Sequence, residues 1–479
     1  MTIADVRKKW FALYVLALGD LLIVLDISIV NVALPSIRED LGFSEASLAW
    51  VINAYTLTFG GFMLLAGRLG DLFGHRRIFL LGVGLFTLAS LACGLANSSE
   101  ILVGARAIQG IGGAIVAAVA LSLIMTLFTE PAERAKAMGV IGFVAAGGGS
   151  IGVLAGGVLT DILNWHWIFL VNIPVGAAVI ALCLMLLPGD SGERGRTSLD
   201  IAGAVTVTAS LMLAVYAIVN GNEQGWTSVH TLGLLGIAAA GLALFVALES
   251  RVSSPLMPLG LFKLRSVAAS NIVGILWSAA MFAMFFLSAL YLQLVLGYSP
   301  LEVGLAFLPA NLLMGAMSLG LSAKLVMRFG VRLPLVGGMA LVALGLGLFA
   351  RAPVDGNFLI DVLPSMLILG VGIGMAMNPL LLAAMSDVEP QDAGVASGVV
   401  NTSFMLGGAL GLAVLASVAA ARTGDSSSPA ALVDGYQAAF VIGTVFALAA
   451  GAVAAVFLRG GPAPARDPHA MGEPATEVI

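Results

Sequence analysis

The stretch WFALYVLALGDLLIVLDISIVNVAL, residues 10–34, is a 25-residue run in which only Asp20 and Asp26 carry charge. About 20 predominantly apolar residues suffice for a helix to cross the hydrocarbon core of a bilayer. The run follows Arg7, Lys8 and Lys9, as the core of a secretory signal would, but it is too long for one and contains two acids. It reads as a retained first transmembrane helix. Further along the chain, polar or breaker clusters separate thirteen more apolar stretches: 48–70, 78–96, 101–126, 136–160, 165–187, 200–219, 231–249, 268–295, 301–323, 334–350, 359–385, 393–419 and 436–458.

Composition agrees. Of 479 residues 59% are apolar and 10% charged, and the mean hydropathy is +1.04, whereas a soluble domain carries roughly 25% charged residues. A soluble enzyme, a disordered chain and a secreted disulfide scaffold are excluded. The short alternating segments of an outer-membrane barrel are missing, since the apolar runs are long and continuous. The expected class is an all-α integral membrane protein of fourteen spans.

The distribution of positive charge tests that count, because Lys and Arg collect in cytoplasmic loops. With the N-terminus inside, 18 of the 22 Lys and Arg fall on the cytoplasmic side. Three (Arg38, Arg351 and Arg422) fall outside, and Arg106 lies within a span. Both termini are therefore expected in the cytoplasm, with the chain multi-pass in the cytoplasmic (inner) membrane. The tail 460–479, rich in Pro, Ala and Gly, reads as disordered, and the connection 422–435 (RTGDSSSPAALVDG) as a flexible outer loop. Cys93 and Cys183 sit in apolar runs, so no disulfide framework or metal spacing is present.

An internal repeat is visible. Phe73-Gly74-His75-Arg76 aligns with Phe329-Gly330-Val331-Arg332 at an offset of 256 residues, or eight spans. Two six-helix halves with a two-helix insert give that spacing, and repeated halves around a central site are a transporter architecture. The expected division is 1–188 and 259–459 for the two bundles, with 189–258 inserted between them.

Several segments carry a more specific resemblance. LDISIVNVALP (25–35) resembles the first-span signature of the fourteen-span drug:H+ antiporters of the major facilitator superfamily. GRLGDLFGHRR (67–77) is similar to the superfamily's loop between the second and third spans. LVGARAIQGIGGA (102–114) resembles its fourth-span motif, with Arg106, Gln109 and Gly110 matching. WHWIFLVNIPVG (165–176) and AGVASGVVNTSFMLGGALGLAVL (393–415) also look like this subfamily. The resemblance implies the major facilitator fold and a proton-driven exporter, and it leaves the substrate open.

Asp26 is the acid that matches the first-span signature. A carboxylate at mid-span costs about 2.5–3.5 kcal/mol and is a functional-site hypothesis by default. Burial disfavours its charged form, so Asp26 is expected to exchange a proton during transport. The competing reading is an interhelical hydrogen bond with no coupling role. Asp20 lies six residues earlier, roughly 9 Å along the helix and about 120° around it. Asp20 is expected to share proton coupling with Asp26 and Arg106 or to meet a cationic substrate, the plainer reading being that it simply sits near a wet cavity. Arg106 keeps its charge and needs a partner. In the family the fourth-span arginine is implicated in proton coupling, and Asp26 is the nearest acid by depth. A purely structural ion pair is the alternative. Gln109 lies one turn along the same face.

The resemblance implies that Gly67, Asp71, Gly74, Arg76 and Arg77 form a gating loop, with Asp71 meeting the start of a helix near Ala393 in the other half. A loop that only sets topology is the plainer reading. Gly148, Gly152 and Gly156 form a small-residue face, assigned to gating or to ordinary packing. The family's Gly-Pro-x-x-Gly-Gly lacks its proline here, where Val153 follows Gly152. His166 stands where the family usually has Arg, between two tryptophans that fit an interfacial belt. Asn31, Gln109, Gln293, Asn311, Asn378 and Asn401, together with Asp20, are candidates for the substrate cavity; Asn53 is a further polar residue within a span.

No nucleotide-binding loop, paired Cys ligands or His-Glu-x-x-His helix occurs. No catalytic residue, metal or cofactor is expected, and the partners expected are protons, lipid and a small amphipathic substrate, with no nucleic acid. The oligomeric state is left open, with a monomer as the default. The first reading is a proton-coupled exporter of amphipathic drugs or similar compounds by alternating access. The alternatives are a dedicated exporter of an endogenous metabolite, lipid or antibiotic, and a non-transporting receptor or structural protein.

Overall fold

A computed structural model describes residues 3–44, 46–128, 130–186, 200–252, 255–388, 393–424, 426 and 428–458. The tail 460–479 lies outside the described residues. Fourteen membrane helices follow one another among those described. They are α1 (Ile3–Leu41), α2 (Trp50–Phe73), α3 (His75–Gly94), α4 (Ser99–Leu127), α5 (Pro131–Ile162), α6 (Trp167–Leu186) and α7 (Ile201–Gln224). Then come α8 (Val229–Glu249), α9 (Arg265–Val295), α10 (Pro300–Ala316), α11 (Arg332–Phe349), α12 (Phe358–Met385), α13 (Ala393–Thr423) and α14 (Pro429–Phe457). Twelve are long and apolar enough to cross a bilayer, and the apolar parts of α5 and α10, Gly147–Ile162 and Pro300–Ala316, are shorter. After Ala316, α10 runs through a wider π-helical turn, Met317–Leu321, into the amphipathic segment Ser322–Phe329.

Local chemistry sets the ends. Ser98, Asp200, Ser228 and Ser428 each accept a bond from a backbone N–H of the first helical turn, satisfying donors that a helix start leaves unpaired. Ser299 and Glu302 form a reciprocal capping box at the start of α10. The connection 422–435 is shorter than expected from its composition. Helix α13 continues to Thr423, α14 begins at Pro429 behind the Ser428 cap, and Arg422 pairs with Asp434 at 3.4 Å. The Ser-Pro pair is a helix start, which outweighs the polar run before it.

The internal repeat is reproduced in backbone geometry. Helix α2 stops at Gly74 with φ 96°, and the end segment of α10 stops at Gly330 with φ 74°. Both angles lie in the region that glycine alone enters without cost.

Helices α1–α6 and α9–α14 form two bundles. In the first, α1 packs on α4, α5 and α6, and α4 packs on α2 and α3. In the second, α9 packs on α12, α13 and α14, and α11 on α12 and α14. The bundles meet along two seams. At one, Gly157 of α5 lies against the backbone of Pro300 and Leu301, while Gly304 of α10 faces the Val153 carbonyl. Nearby, Gln293 of α9 donates to the Val32 carbonyl of α1 at 2.9 Å. At the other, α2 and α13 touch through Gly60 against Met405 and Gly398 against Leu64.

The inserted pair is not a detached appendage. Helix α7 packs on both α2 and α13, with Thr208 against Gly61 and Asn222 donating to the Ser417 carbonyl at 2.7 Å. At the other end of the hairpin the buried Glu249 accepts from Met257 N–H at 3.0 Å, and Arg68 donates to the Pro255 carbonyl. Helix α8 packs chiefly on α7 and is largely exposed on its remaining faces.

Gly148, Gly152 and Gly156 all face α1, against Leu21 and Val24, Leu25 and Ser28, and Ile29 respectively. A methyl group at Gly156 would lie 2.6 Å from the Ile29 carbonyl oxygen, whereas Gly149 has open space. Backbone cannot yield as a side-chain tip can, so Gly156→Ala is expected to cost about 1–3 kcal/mol. Gly149→Ala is expected to be neutral or slightly stabilising. Thermal unfolding of the two variants in detergent checks the difference.

Candidate functional site

The most buried ionic chemistry lies inside the first bundle. Asp26 of α1 is 0% exposed and Arg106 of α4 1%. The Arg106 Nη1 donates to Asp26 Oδ2 in a close ion pair and to Gln109 Oε1 at 2.7 Å. Its Nε donates to the Val51 carbonyl of α2 at 2.9 Å. The guanidinium also lies 4.4 Å from the ring centre of Tyr55 and 5.6 Å from that of Phe169, within reach of cation–π attraction.

The carboxylate is satisfied from other helices. Gln109 Nε2 donates to Asp26 Oδ1 at 2.7 Å and to Ser90 Oγ of α3 at 2.6 Å. Asn172 of α6 donates to the same two oxygens at 3.2 and 3.1 Å. The Cys93 thiol reaches Gln109 Oε1 at 3.6 Å. Five helices thus meet in one cluster around the acid, which itself bonds to α4 and α6, and each brings a polar group whose burial would be costly alone. Ser90, Cys93, Asn172, Tyr55 and the Val51 carbonyl were missed by sequence reading. Ser90 and Asn172 are ordinary polar residues within apolar runs, and a backbone carbonyl leaves no sequence signal.

This arrangement has a chemical consequence. If Asp26 takes up a proton, Arg106 retains Gln109, the Val51 carbonyl and two aromatic faces. The pair can therefore open without leaving a bare cation in the protein interior.

The other candidates are dispersed. Asp20 is half-buried and, among the described residues, makes no hydrogen bond or ion pair. It lies eleven residues from Asn31, which at about 100° per residue places both on one face of α1. Asn31 bonds back to the Ile27 carbonyl at 3.1 Å. Asn378 of α12 donates to the Ser318 carbonyl of α10 at 2.8 Å. Gln293 bridges to α1 at the seam described above, Asn311 is buried on α10 and Asn401 half-buried on α13. Gln109, grouped with these from the sequence, is wholly buried in the Asp26 cluster. The Asn53 amide of α2 is also buried, and neither of its polar atoms is bonded among the described residues.

In the loop after α2, Gly67 lies in the helix and Gly74 ends it. Arg76 donates to the Leu184 carbonyl at the end of α6, at 2.7 Å, capping that helix, and Arg77 is exposed. The Asp71 side chain, and with it the expected contact near Ala393, lies outside the described residues.

At the end of the bundle opposite the chain termini, a hollow of about 350 Å³ is lined by Asp40, Leu41, the residues from Gly94 to Asn97, and His166. Trp165 Nε1 donates to Asp40 Oδ2 at 2.9 Å and stacks on His166 with ring centres 3.8 Å apart.

Residues 16–412 match the Major Facilitator Superfamily. The chain belongs to that family. It is a multi-pass membrane transporter, not an enzyme, and falls in the superfamily's fourteen-span drug:H+ antiporter group. This facilitator is 41% identical over 448 residues to the puromycin resistance protein pur8 of Streptomyces alboniger, covering 92% of this chain and 89% of that protein. It is 40% identical to the cephamycin export protein CmcT of Amycolatopsis lactamdurans, with 91% and 90% covered. It is 38% identical to the multidrug resistance protein Stp of Mycobacterium tuberculosis, with 88% and 78% covered. The facilitator fold is seen in the crystal structure of the nucleoside transporter NupG, which superposes with a TM-score of 0.66 at 13% identity over 93% of this chain and 98% of that one.

Removing one partner of a buried pair costs about 3–5 kcal/mol, while removing both for apolar groups costs far less. Arg106→Met is expected to destabilise the facilitator more than Asp26→Leu with Arg106→Met together. A double-mutant cycle on melting temperature in detergent checks this.

Proposed function

We propose that this facilitator is a proton-coupled antiporter that exports small amphipathic compounds by alternating access, with Asp26 and Arg106 as the coupling pair. The observation that carries the reading is the wholly buried Asp26–Arg106 pair, in which the arginine keeps other partners when the acid is neutralised. A scaffold or receptor gains nothing from so costly an arrangement. Both termini lie in the cytoplasm, which makes the end carrying Asp40 and His166 the outer face.

Rocking of the body 1–188 against the body 259–459 opens the central space alternately to each side, with 189–258 carried across the α2–α13 seam. Asp20, Asn31, Gln293, Asn311, Asn378 and Asn401 contribute polar contacts to that space, and the unpaired Asp20 favours cationic cargo. Gln109 serves the coupling pair. The glycines 148, 152 and 156 let α5 move with α1 as one unit, and the loop from Gly67 to Arg77 sets how the inner ends part. Each proton moving inward gains roughly 2.3 kcal/mol per 100 mV, which drives cargo outward. A second reading, export of one particular antibiotic, draws support from relatives named for puromycin and cephamycin.

The test is transport in proteoliposomes of wild type, Asp26→Asn and Asp20→Asn over a panel of cationic and neutral compounds. Asp26→Asn is expected to abolish gradient-driven export while leaving cargo binding measurable. Asp20→Asn is expected to weaken cationic cargo about tenfold, the loss of roughly 1.4 kcal/mol, and to spare neutral cargo. Undiminished gradient-driven export by Asp26→Asn sinks the reading.

A further inference from the structure

We propose that protons reach Asp26 from the outer face through the interior of the first bundle, by way of the hollow at Asp40 and His166, and not through the cargo space between the bundles. This rests on the proton-coupled reading above. The direction in which Asp26 faces carries the argument. Its hydrogen-bond partners come from α3 (through Ser90, by Gln109 and Asn172), α4 and α6, which are helices of its own bundle. The carboxylate thus points into the bundle and away from the second one.

The same helices frame the hollow. Asp40 continues α1, Gly94 and Ala96 end α3, and His166 opens α6. Ser90 lies four residues below Gly94 and Asn172 six beyond His166, which places the cluster about 6–9 Å beneath the hollow at 1.5 Å per residue. Cys93 occupies the interval, buried, next to the lining residue Gly94 and bonded to Gln109. Leu170 fills the space beside Gly94, so the interval is closed to cargo and opens to water, or to a reagent as small as a methanethiosulfonate, only as that side chain moves aside.

The mouth carries suitable groups. Asp40 and His166 are the titratable residues of the lining, and the buried Nδ1 of His166 makes no hydrogen bond among the described residues. An imidazole nitrogen and a carboxylate oxygen can each accept and pass on a proton. The other charged groups at this end, Arg38 and Glu39 on α1, Glu100 on α4 and Asp161 on α5, are exposed or half-exposed and set the local potential. A proton leaves outer water, passes the mouth and binds an Asp26 carboxylate oxygen as the bond to Arg106 breaks. Arg106 stays charged throughout, and the proton returns to water on the inner side. The seam at Gly157 and Pro300 can then stay closed to cargo while the acid is loaded.

The full chain with Cys183→Ala keeps Cys93 as its single thiol and is reconstituted in proteoliposomes of known orientation. A small water-soluble methanethiosulfonate added outside is expected to modify Cys93, and Asn97→Trp, which fills the hollow, to abolish that modification. Asp40→Asn with His166→Gln removes both proton-accepting groups of the mouth and is expected to move the outer-pH profile of proton-driven transport toward lower pH. Modification of Cys93 only from inside, or not at all, overturns the proposal, as does an unchanged outer-pH profile in the double variant. Wild-type transport that ignores the gradient overturns proton coupling itself and this route with it, a result distinct from a coupled transporter with a sealed Cys93.

Discussion

A charged pair buried in a membrane protein is tolerable only when the whole neighbourhood is organised around it. Asp26 and Arg106 impose that demand on the first bundle. Gln109 and Asn172 must sit where they satisfy the remaining carboxylate oxygen, Ser90 must accept from both, and α2 must present the Val51 carbonyl and the Tyr55 ring to the guanidinium. The positions of α1, α2, α3, α4 and α6 are therefore fixed by polar geometry as well as by apolar packing. In lipid, where burying apolar surface between helices gains little, such directional contacts and close small-residue faces supply much of the specificity.

The second constraint is at the seams. Gly157, Gly304, Gly60 and Gly398 bring backbone or side chains of the two bundles into direct contact, and α7 spans one of those seams by touching α2 and α13 at once. Relative motion of the bundles requires α7 to slide on at least one of them. Its contacts there are mainly apolar, Leu211, Val215 and Val219 packing with Leu57, Ala409 and Ala413, and only Asn222 and Ser417 add hydrogen bonds across the seam, so sliding leaves few polar groups unpaired.

Much of this was legible in the chain before any coordinates. Fourteen apolar runs separated by basic loops are a direct reading of bilayer thickness, and Asp26 and Arg106 stand out because nothing else at that depth is charged. Their pairing follows from estimated depth. The surrounding shell does not, because Ser90 and Asn172 gain significance only once α3 and α6 are placed beside α1. Helix ends were also hard to read. Hydrophobicity stops at Leu34, yet α1 runs past Pro35 to Leu41, since a helix can continue into water once its backbone is hydrogen-bonded. The glycine face 148–152–156 was legible as a contact surface but not which helix it meets, while Gly157, one residue further, is the glycine at the seam.

The matching turns at Gly74 and Gly330 show a frame built twice from one plan. At their offset, Asp26 and Arg106 fall opposite Phe282 and Val362, both part of the buried apolar core. At these two equivalent positions the duplicated scaffold thus buries an ion pair in one half and apolar side chains in the other. A core substitution in the second half at these positions only repacks apolar groups, whereas one at Asp26 or Arg106 strands a buried charge, so the two copies of one plan differ in how much sequence change they tolerate.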